Sequence, residues 1–268
     1  MVDDTLAILP LIREQTENGF IAGDAAQKIA SRSSLTLAAV ETLALQHSIL
    51  PLRYKRNGLR PAEQLRLFRS SVAIIGCGGL GGRNAEILGR AGIGRLILTD
   101  PDVFSETNLN RQIFCTRDSL GQAKVTVLGE ALQQINPALN TSLHQHSFDI
   151  SSITGADIVI DALDSADARK DLAALCRKMD IPLVHGAVKG WYGQLGVDRR
   201  SNSIVSTLYR QGGESTTPPR VLPMTVGLVA ALQAAEACKL ILGRGNVRDN
   251  GWLQCDLYNG DFEAIEQE

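Results

Sequence analysis

The stretch RSSVAIIGCGGLGGRNAEILGRAGIGRLILTDPD, residues 69–102, constrains the fold more than any other part of the chain. An apolar run meets a cluster of glycines, then comes a helical pattern, and a second apolar run ends in acid. That order predicts strand, tight turn, helix and strand, one βαβ unit. The alternation continues downstream. After VAIIG (72–76) and RLILTD (95–100), strand candidates are TSLHQHS (141–147), DIVIDAL (157–163), PLVHGAV (182–188) and QLGVDR (194–199). Helical patterns fall at about 80–90, 122–135 and 166–179. Strands alternating with helices imply an α/β fold: a Rossmann-like, doubly wound mixed sheet with helices on both faces. WLQCDLYNGDFEAI, near the end, reads as one or two closing strands, and YRQGGESTTPPRV (209–221) has no period and reads as a loop.

Residues 1–52 differ in kind. They show spaced apolar positions, no strand-like run, and Asp24 and Thr36 as candidate N-caps, and so read as a helical appendage closed by Pro51. DAAQKIASRSSLTLAAVETLA has the apolar spacing of a helix-turn-helix. Its second helix offers Glu41 and Gln46 but no Lys or Arg, so a packing or partner-contact role is expected in place of base reading. A net charge of −2 also argues against a general affinity for nucleic acid or anionic membrane. Asp3 and Asp4 are the wrong flank for a signal peptide. The longest apolar stretch, 225–243, carries Glu236 and Lys239, which suits a buried helix better than a membrane span. Five scattered cysteines with no CxxC pair support neither a disulfide framework nor a zinc site, and the expected compartment is the reducing cytoplasm.

Gly76, Gly78 and Gly81 form GxGxxG between the first strand and its helix. The first glycine permits the turn, the second lets phosphate approach the backbone, and the third lets the helix pack on the strand. The helix N-terminus offers free N–H groups to an anion. Asp100 ends the second strand, where a carboxylate can bond ribose hydroxyls. The loop alone does not separate NAD from ATP. The residues beyond Asp100 discriminate better. DPDVFSETNLNRQIF brings Asp102, Asn108, Asn110, Arg111 and Gln112 to the carboxyl end of a strand, Lys124 opens the next helix, and Asp164 ends a later strand. Two cations for phosphate oxygens, carboxylates for ribose or metal, and amides for orientation suit attack on a triphosphate. Hydride transfer has no evident use for them.

Several motifs, in order, resemble the ThiF/MoeB/HesA family, bacterial relatives of ubiquitin-activating enzymes. They are RYKRN (53–57), the glycine loop with Asp100, NLNRQ (108–112), GQAK (121–124), QQINP (133–137), DALDSADAR (161–169) and HGAVKGWYGQLGV (185–197). The resemblance covers about residues 53–260 and implies that residues 53–268 form an ATP-binding adenylation domain. It implies an adenylyltransferase that uses ATP and Mg²⁺ on a carboxylate, most often the C-terminal Gly-Gly of a small ubiquitin-like sulfur-carrier protein (ThiS/MoaD-like). It also implies that Asp100 holds ribose, that Asn108, Arg111 and Lys124 contact phosphates, and that Asp164 helps to bind Mg²⁺. Gly79, Asp102, Gln112 and Leu163 join the nucleotide contacts, and Arg56 reaches the partner's site across a symmetric homodimer.

The chain departs from the family in two places. The two CxxC pairs that hold a structural zinc in many members are missing, and so is the crossover-loop cysteine, whose stretch ESTTPPRVLPM offers only Ser215, Thr216 and Thr217. Cys115, after RQIF, is the cysteine nearest the expected site, whereas Cys176 and Cys238 read as core. Adenylation of a small-molecule or peptide carboxylate therefore stays open, with an NAD oxidoreductase and a non-catalytic nucleotide-binding partner behind it.

Overall fold

The computed structural model describes residues 8–210 and 220–267. The N-terminal part holds α1 (Leu9–Glu14), β1 (Thr16–Glu17), β2 (Phe20–Ile21), α2 (Gly23–Arg32), α3 (Leu37–Gln46) and β3 (Leu50–Pro51). The three strands form a small sheet in the order β1-β2-β3. They correct the expectation of an all-helical segment. Each is two residues long, too short for any alternation to show in sequence. Pro51 ends no helix but sits in β3, opposite Ile21. Thr36 caps α3 through the Ala39 N–H. Asp24 caps nothing: α2 begins after Ala22, and Asp24 lies in its first turn, 4.0 Å from Lys28 Nζ. Ile12, Ile21, Ala26, Ile29, Val40 and Leu43 bury a core of their own. Glu41, on the second helix of the helix-turn-helix pattern, is fully buried and forms a two-pronged pair with Arg53.

The rest of the chain runs α4 (Pro61–Arg69), β4 (Ser71–Ile75), α5 (Gly79–Ala91), β5 (Arg95–Thr99), α6 (Lys124–Ile135), β6 (Asn140–His144), β7 (Ile158–Asp161), α7 (Ala166–Met179), β8 (Leu183–Lys189), β9 (Tyr192–Asp198), α8 (Ile204–Leu208), α9 (Pro223–Leu242), β10 (Gly251–Asp256) and β11 (Asp261–Glu266). Eight strands make one sheet in the order β11-β10-β9-β8-β7-β4-β5-β6. From β8 to β6 neighbours pair parallel, while β9, β10 and β11 pair antiparallel. The sheet is therefore mixed and doubly wound. Every residue of β4 is buried, which explains an apolar run without alternation: helices cover both faces. On one face α5, α6 and α9 pack with Val72, Ile74, Leu96 and Leu98, and on the other α7 and α8 pack with Ala73, Ile75, Ile97 and Val159.

The apolar helix α9 is long and apolar enough to cross a membrane by length and composition. Here it packs on α5 and β8 and buries three polar side chains with partners: Thr225 donates to the Gly190 carbonyl at 2.8 Å, and the other two are Gln233 and Glu236. Gln233 donates to the carbonyls of Asp161 and Val184, and Glu236 pairs with Lys239. β4 is succeeded in sequence by its neighbour on one side, β5, and the chain returns through β7 on the other. The strand order thus reverses at β4, and in open α/β sheets the crevice at such a reversal takes the ligand.

Candidate active site

The glycine loop leaves β4 at that crevice. Gly76 has φ +91°, and a Cβ there would meet the Ala162 carbonyl oxygen at 2.7 Å. A Cβ on Gly81 would lie 1.7 Å from the Gly76 carbonyl oxygen. Both positions therefore demand glycine, the first for the turn and the second so that α5 can approach β4. Gly78 is the N-cap residue of α5. The first N–H groups of the helix, at Gly79, Leu80 and Gly81, have no acceptor within it, and they lie at the positive end of its dipole. NLNRQ folds back over this end. A Cβ on Gly78 would lie 3.3 Å from Gln112 Nε2, and one on Gly79 would lie 3.7 Å from Arg111 Cγ. Gln112 is buried, and its Oε1 accepts no hydrogen bond among the described residues.

Asp100, one residue past β5, fastens the loop from the other side. Its Oδ2 accepts the Cys77 N–H at 2.6 Å and its Oδ1 accepts the Asp102 N–H at 2.8 Å. Lys124 opens α6 beneath the pair, buried, with Nζ 2.8 Å from Asp102 Oδ2 and 3.6 Å from Asp100 Oδ1. Asn108 is buried too. Its Oδ1 accepts the Ser105 N–H at 3.0 Å, so half of its amide closes a turn, and its NH₂ has no hydrogen-bond acceptor among the described residues. Arg111 is half-buried and donates to the Thr107 carbonyl and to Asn110 Oδ1, with no carboxylate partner among the described residues. The crevice therefore carries two cations and a helix N-terminus over the end of β4.

Across the crevice, the β7 end brings Leu163 and Asp164. Leu163 is half-buried, and Asp164 is exposed with no ion pair among the described residues. No three His, Cys, Asp or Glu side chains gather as a metal cage among those residues. One exposed carboxylate suits Mg²⁺, which takes most of its ligands from phosphate and water.

Arg56 lies apart from the rest. It is exposed, and its neighbour Asn57 donates from Nδ2 to the carbonyl of Ala91, at the C-terminal end of α5. The glycine loop is at the other end of that helix, about 20 Å away at 1.5 Å per residue. The nearby Arg53 and Tyr54 have structural roles: Arg53 pairs with Glu41, and the Tyr54 hydroxyl accepts from Asn136 at 3.1 Å.

Cys115 is buried, with Sγ 3.6 Å from the Ser105 carbonyl oxygen. Burial pushes its thiol up, and the charge on Lys124 offsets that in part. Cys77, inside the loop, is fully buried, and its thiol is pushed well above the ordinary range, by burial first and by the Asp100 charge second. Ser215, Thr216 and Thr217 lie outside the described residues.

Sequence reasoning missed a buried polar cluster under Leu163. Asp161, Arg169, His185, Gln194 and Tyr209 come from β7, α7, β8, β9 and the end of α8. Arg169 stands inside DALDSADAR, yet nothing in its local spacing marks it as more than a surface helix cation.

The match to the ThiF family spans residues 53–268. The chain belongs to the ThiF family. It is 32% identical over 237 residues to the SAMP-activating enzyme E1 of Haloferax volcanii, covering 84% of this chain and 87% of that one. It is 35% identical over 228 residues to the molybdopterin-synthase adenylyltransferase of Haemophilus influenzae, covering 80% and 94%. It also matches the adenylyltransferase and sulfurtransferase MOCS3 of Aedes aegypti, 34% identical, but spans only 49% of that longer protein. The fold is shared with Escherichia coli MccB, solved with selenomethionine MccA, at a TM-score of 0.70 and 20% identity over 90% of this chain and 82% of that one. As a ThiF-family protein with these relatives, the chain is an adenylyltransferase and uses ATP.

Proposed function

We propose that this ThiF-family enzyme transfers AMP to the C-terminal carboxylate of a small ubiquitin-like sulfur-carrier protein ending in Gly-Gly, with release of pyrophosphate. The observation that carries the reading is the set of Lys124, Arg111 and the α5 N-terminus around one crevice. The curated relatives, a SAMP-activating enzyme and a molybdopterin-synthase adenylyltransferase, support the carrier as substrate class.

The chemistry asks little of the protein beyond position and charge. A C-terminal carboxylate is ionised at neutral pH, so no general base is needed. The N–H groups of Gly79 to Gly81 take a phosphate, with Gly76 and Gly78 keeping the backbone open beside it. Asp100 and Asp102 face the ribose and phosphate edge, Asn108 and Gln112 orient, and Leu163 packs against the nucleotide. Arg111 and Lys124 stabilise the charge that develops on the α-phosphate as pyrophosphate departs. Asp164 would hold Mg²⁺, which when bound neutralises the triphosphate. Arg56 serves the site of a second copy in a two-fold dimer, because α5 separates it from its own.

The test is ATP–pyrophosphate exchange with a purified Gly-Gly carrier, against the same carrier lacking its last two residues. Exchange only with the intact carrier is the expected result. Exchange that proceeds with a small-molecule or peptide carboxylate and ignores the carrier would establish the second reading. That reading is favoured by the absence of any cysteine from residues 177–237. Calorimetry showing tighter NAD than Mg·ATP binding would overturn both.

A further inference from the structure

The exposed Asp164 has no side-chain partner among the described residues, so its position must come from its backbone. That backbone is gripped on both sides of Leu163. The Leu163 N–H donates to Asp161 Oδ1 at 3.0 Å, and its carbonyl accepts from Arg169 Nη2. The carbonyl belongs to the same planar peptide as the Asp164 N–H, so Arg169 fixes the orientation in which Asp164 leaves the strand.

Arg169 is in turn held by Tyr209. Its Nη1 donates to the Tyr209 hydroxyl at 2.5 Å. Gln194 Nε2 donates to the same oxygen at 3.1 Å, and the hydroxyl is 3.4 Å from His185 Nε2. His185 Nδ1 lies 2.7 Å from Asp161 Oδ2. One set of directions fits these distances: His185 donates through Nδ1 to Asp161 and accepts through Nε2 from the Tyr209 hydroxyl, while Arg169 and Gln194 donate to that hydroxyl. Burial raises the Tyr209 pKa, which keeps the hydroxyl protonated.

The guanidinium is not where simple ion pairing would put it. Arg169 Nε is 3.8 Å from Asp161 Oδ2 and has no hydrogen-bond partner among the described residues, although both side chains are buried. Tyr209 and the Leu163 carbonyl draw the fork away from the carboxylate. Without the Tyr209 hydroxyl, Nη1 would be buried and unpaired, and the fork could close on Asp161 and release Leu163.

We propose that Arg169 and Tyr209 are positioning residues of the adenylation site, holding the Leu163–Asp164 peptide so that the Asp164 carboxylate meets the metal–phosphate group. This rests on the reading of Asp164 given under Proposed function. Groups that orient a metal-binding side chain are typically worth about 10–100-fold in metal affinity or activity.

The test uses the full chain and Mn²⁺ as the probe, its binding in the presence of ATP monitored by electron paramagnetic resonance. Tyr209→Phe keeps the ring and removes the hydroxyl; Arg169→Lys keeps the charge and removes the fork. Leu172→Ala, a fully buried core change next to the cluster, serves as a pure stability control. Tyr209→Phe and Arg169→Lys are each expected to weaken Mn²⁺ binding about tenfold with metal-free ATP binding unchanged. Leu172→Ala is expected to lower Tm and leave Mn²⁺ binding alone. Asp164→Asn should weaken Mn²⁺ binding too, and Tyr209→Phe added to it should weaken it little further, because both act through one carboxylate. The proposal is overturned if Tyr209→Phe and Arg169→Lys lower Tm as Leu172→Ala does without touching Mn²⁺ binding, or if the Tyr209 and Asp164 effects add in full. Should wild-type protein bind ATP without engaging Mn²⁺, or Asp164→Asn bind it normally, the metal role of Asp164 itself fails, and the proposal with it.

Discussion

Lys124 Nζ lies 2.8 Å from Asp102 Oδ2, in a site where only 8% of the lysine side chain is exposed. Asp102 is two-thirds exposed at 66%, and Asp100 completes the cradle at 3.6 Å. Two carboxylates thus hold the ammonium in place before any phosphate arrives. The pair with Asp102 is the one able to yield, because a salt bridge with an exposed partner contributes about 1 kcal/mol or less. In the proposed reaction, exchanging it for a phosphate oxygen would cost little, and the lysine would not have to be found and ordered at the moment of reaction.

Lys124→Ala should therefore lower pyrophosphate exchange about a hundred- to a thousandfold, or ~2.7–4 kcal/mol, as loss of one preorganised donor does. It should also weaken ATP binding to a smaller degree, since Asp100 and Asp102 would then face the phosphates without a neutralising charge. Asp102→Asn removes only the resting partner, so its effect on exchange should stay within about tenfold, and the two changes should not add. Exchange kinetics on the single and double variants check this. Near-normal turnover in Lys124→Ala would remove the lysine from the mechanism.

Arg56 sits at the far end of α5 from the glycine loop, beside Asn57 and Ala91. If it acts, it acts in another copy's site. Arg56→Ala and Lys124→Ala chains should each be inactive alone, and mixed subunits should recover part of the activity, because some dimers then hold one site with both residues. No recovery after verified subunit exchange would count against supply from the partner.

The features legible in sequence were local. Buried parallel strands show as apolar runs, and the helix at 166–179 is found with the bounds expected for it. Gly76, Gly78, Gly81 and Asp100 lie within one βαβ unit, so their proximity results from chain order. The Lys124–Asp102 pair, 22 residues apart, depends on how the β5 end meets α6. The cluster under Leu163 is further out of reach, since its members come from five elements and no spacing joins them. α4 is not among the helices expected from sequence, although Pro61 and Glu63 stand where the first turn of a helix favours them; its few apolar positions, Leu65, Leu67 and Phe68, lie among charges that serve distant contacts. Arg66 reaches the carbonyls of Ile241 and Leu242, and Glu63 reaches Arg244.

Glu63 predicts a pH effect at that junction. Hydrogen bonds from the Arg60 side chain and backbone, with Arg244 nearby, hold its carboxyl down at about 2 against an ordinary 4.5. A depressed carboxylate stabilises the fold fully above its unfolded pKa, and that contribution fades as pH falls from about 4.5 toward 2. Glu63→Gln should therefore lower the urea midpoint at pH 6, with a smaller difference at pH 4 and a smaller one again at pH 3. A gap that stays constant over that range would show that the carboxylate charge is not what joins α4 to the end of α9.

No cysteine of the crevice is placed for covalent chemistry. A thioester requires a thiolate beside the acyl-adenylate carbonyl, since the thiolate is the nucleophile. Cys115 is the cysteine after NLNRQ, but its Sγ faces the Ser105 carbonyl oxygen, its thiol pKa is raised by burial, and the nearby charge on Lys124 is itself engaged by two aspartates. Cys77 is fully buried with its thiol pushed higher still. Neither is a thiolate at neutral pH. The enzyme should therefore stop at the acyl-adenylate and pass it to an external sulfur donor or amine. Incubation with ATP and the carrier should give adenylate and pyrophosphate, with no band on a non-reducing gel that dithiothreitol removes. Cys115→Ser should exchange pyrophosphate at close to the wild-type rate. An adduct that disappears both with dithiothreitol and with Cys115→Ser would make Cys115 the nucleophile, and would require the turn at Ser105 to open so that the thiol can reach the crevice.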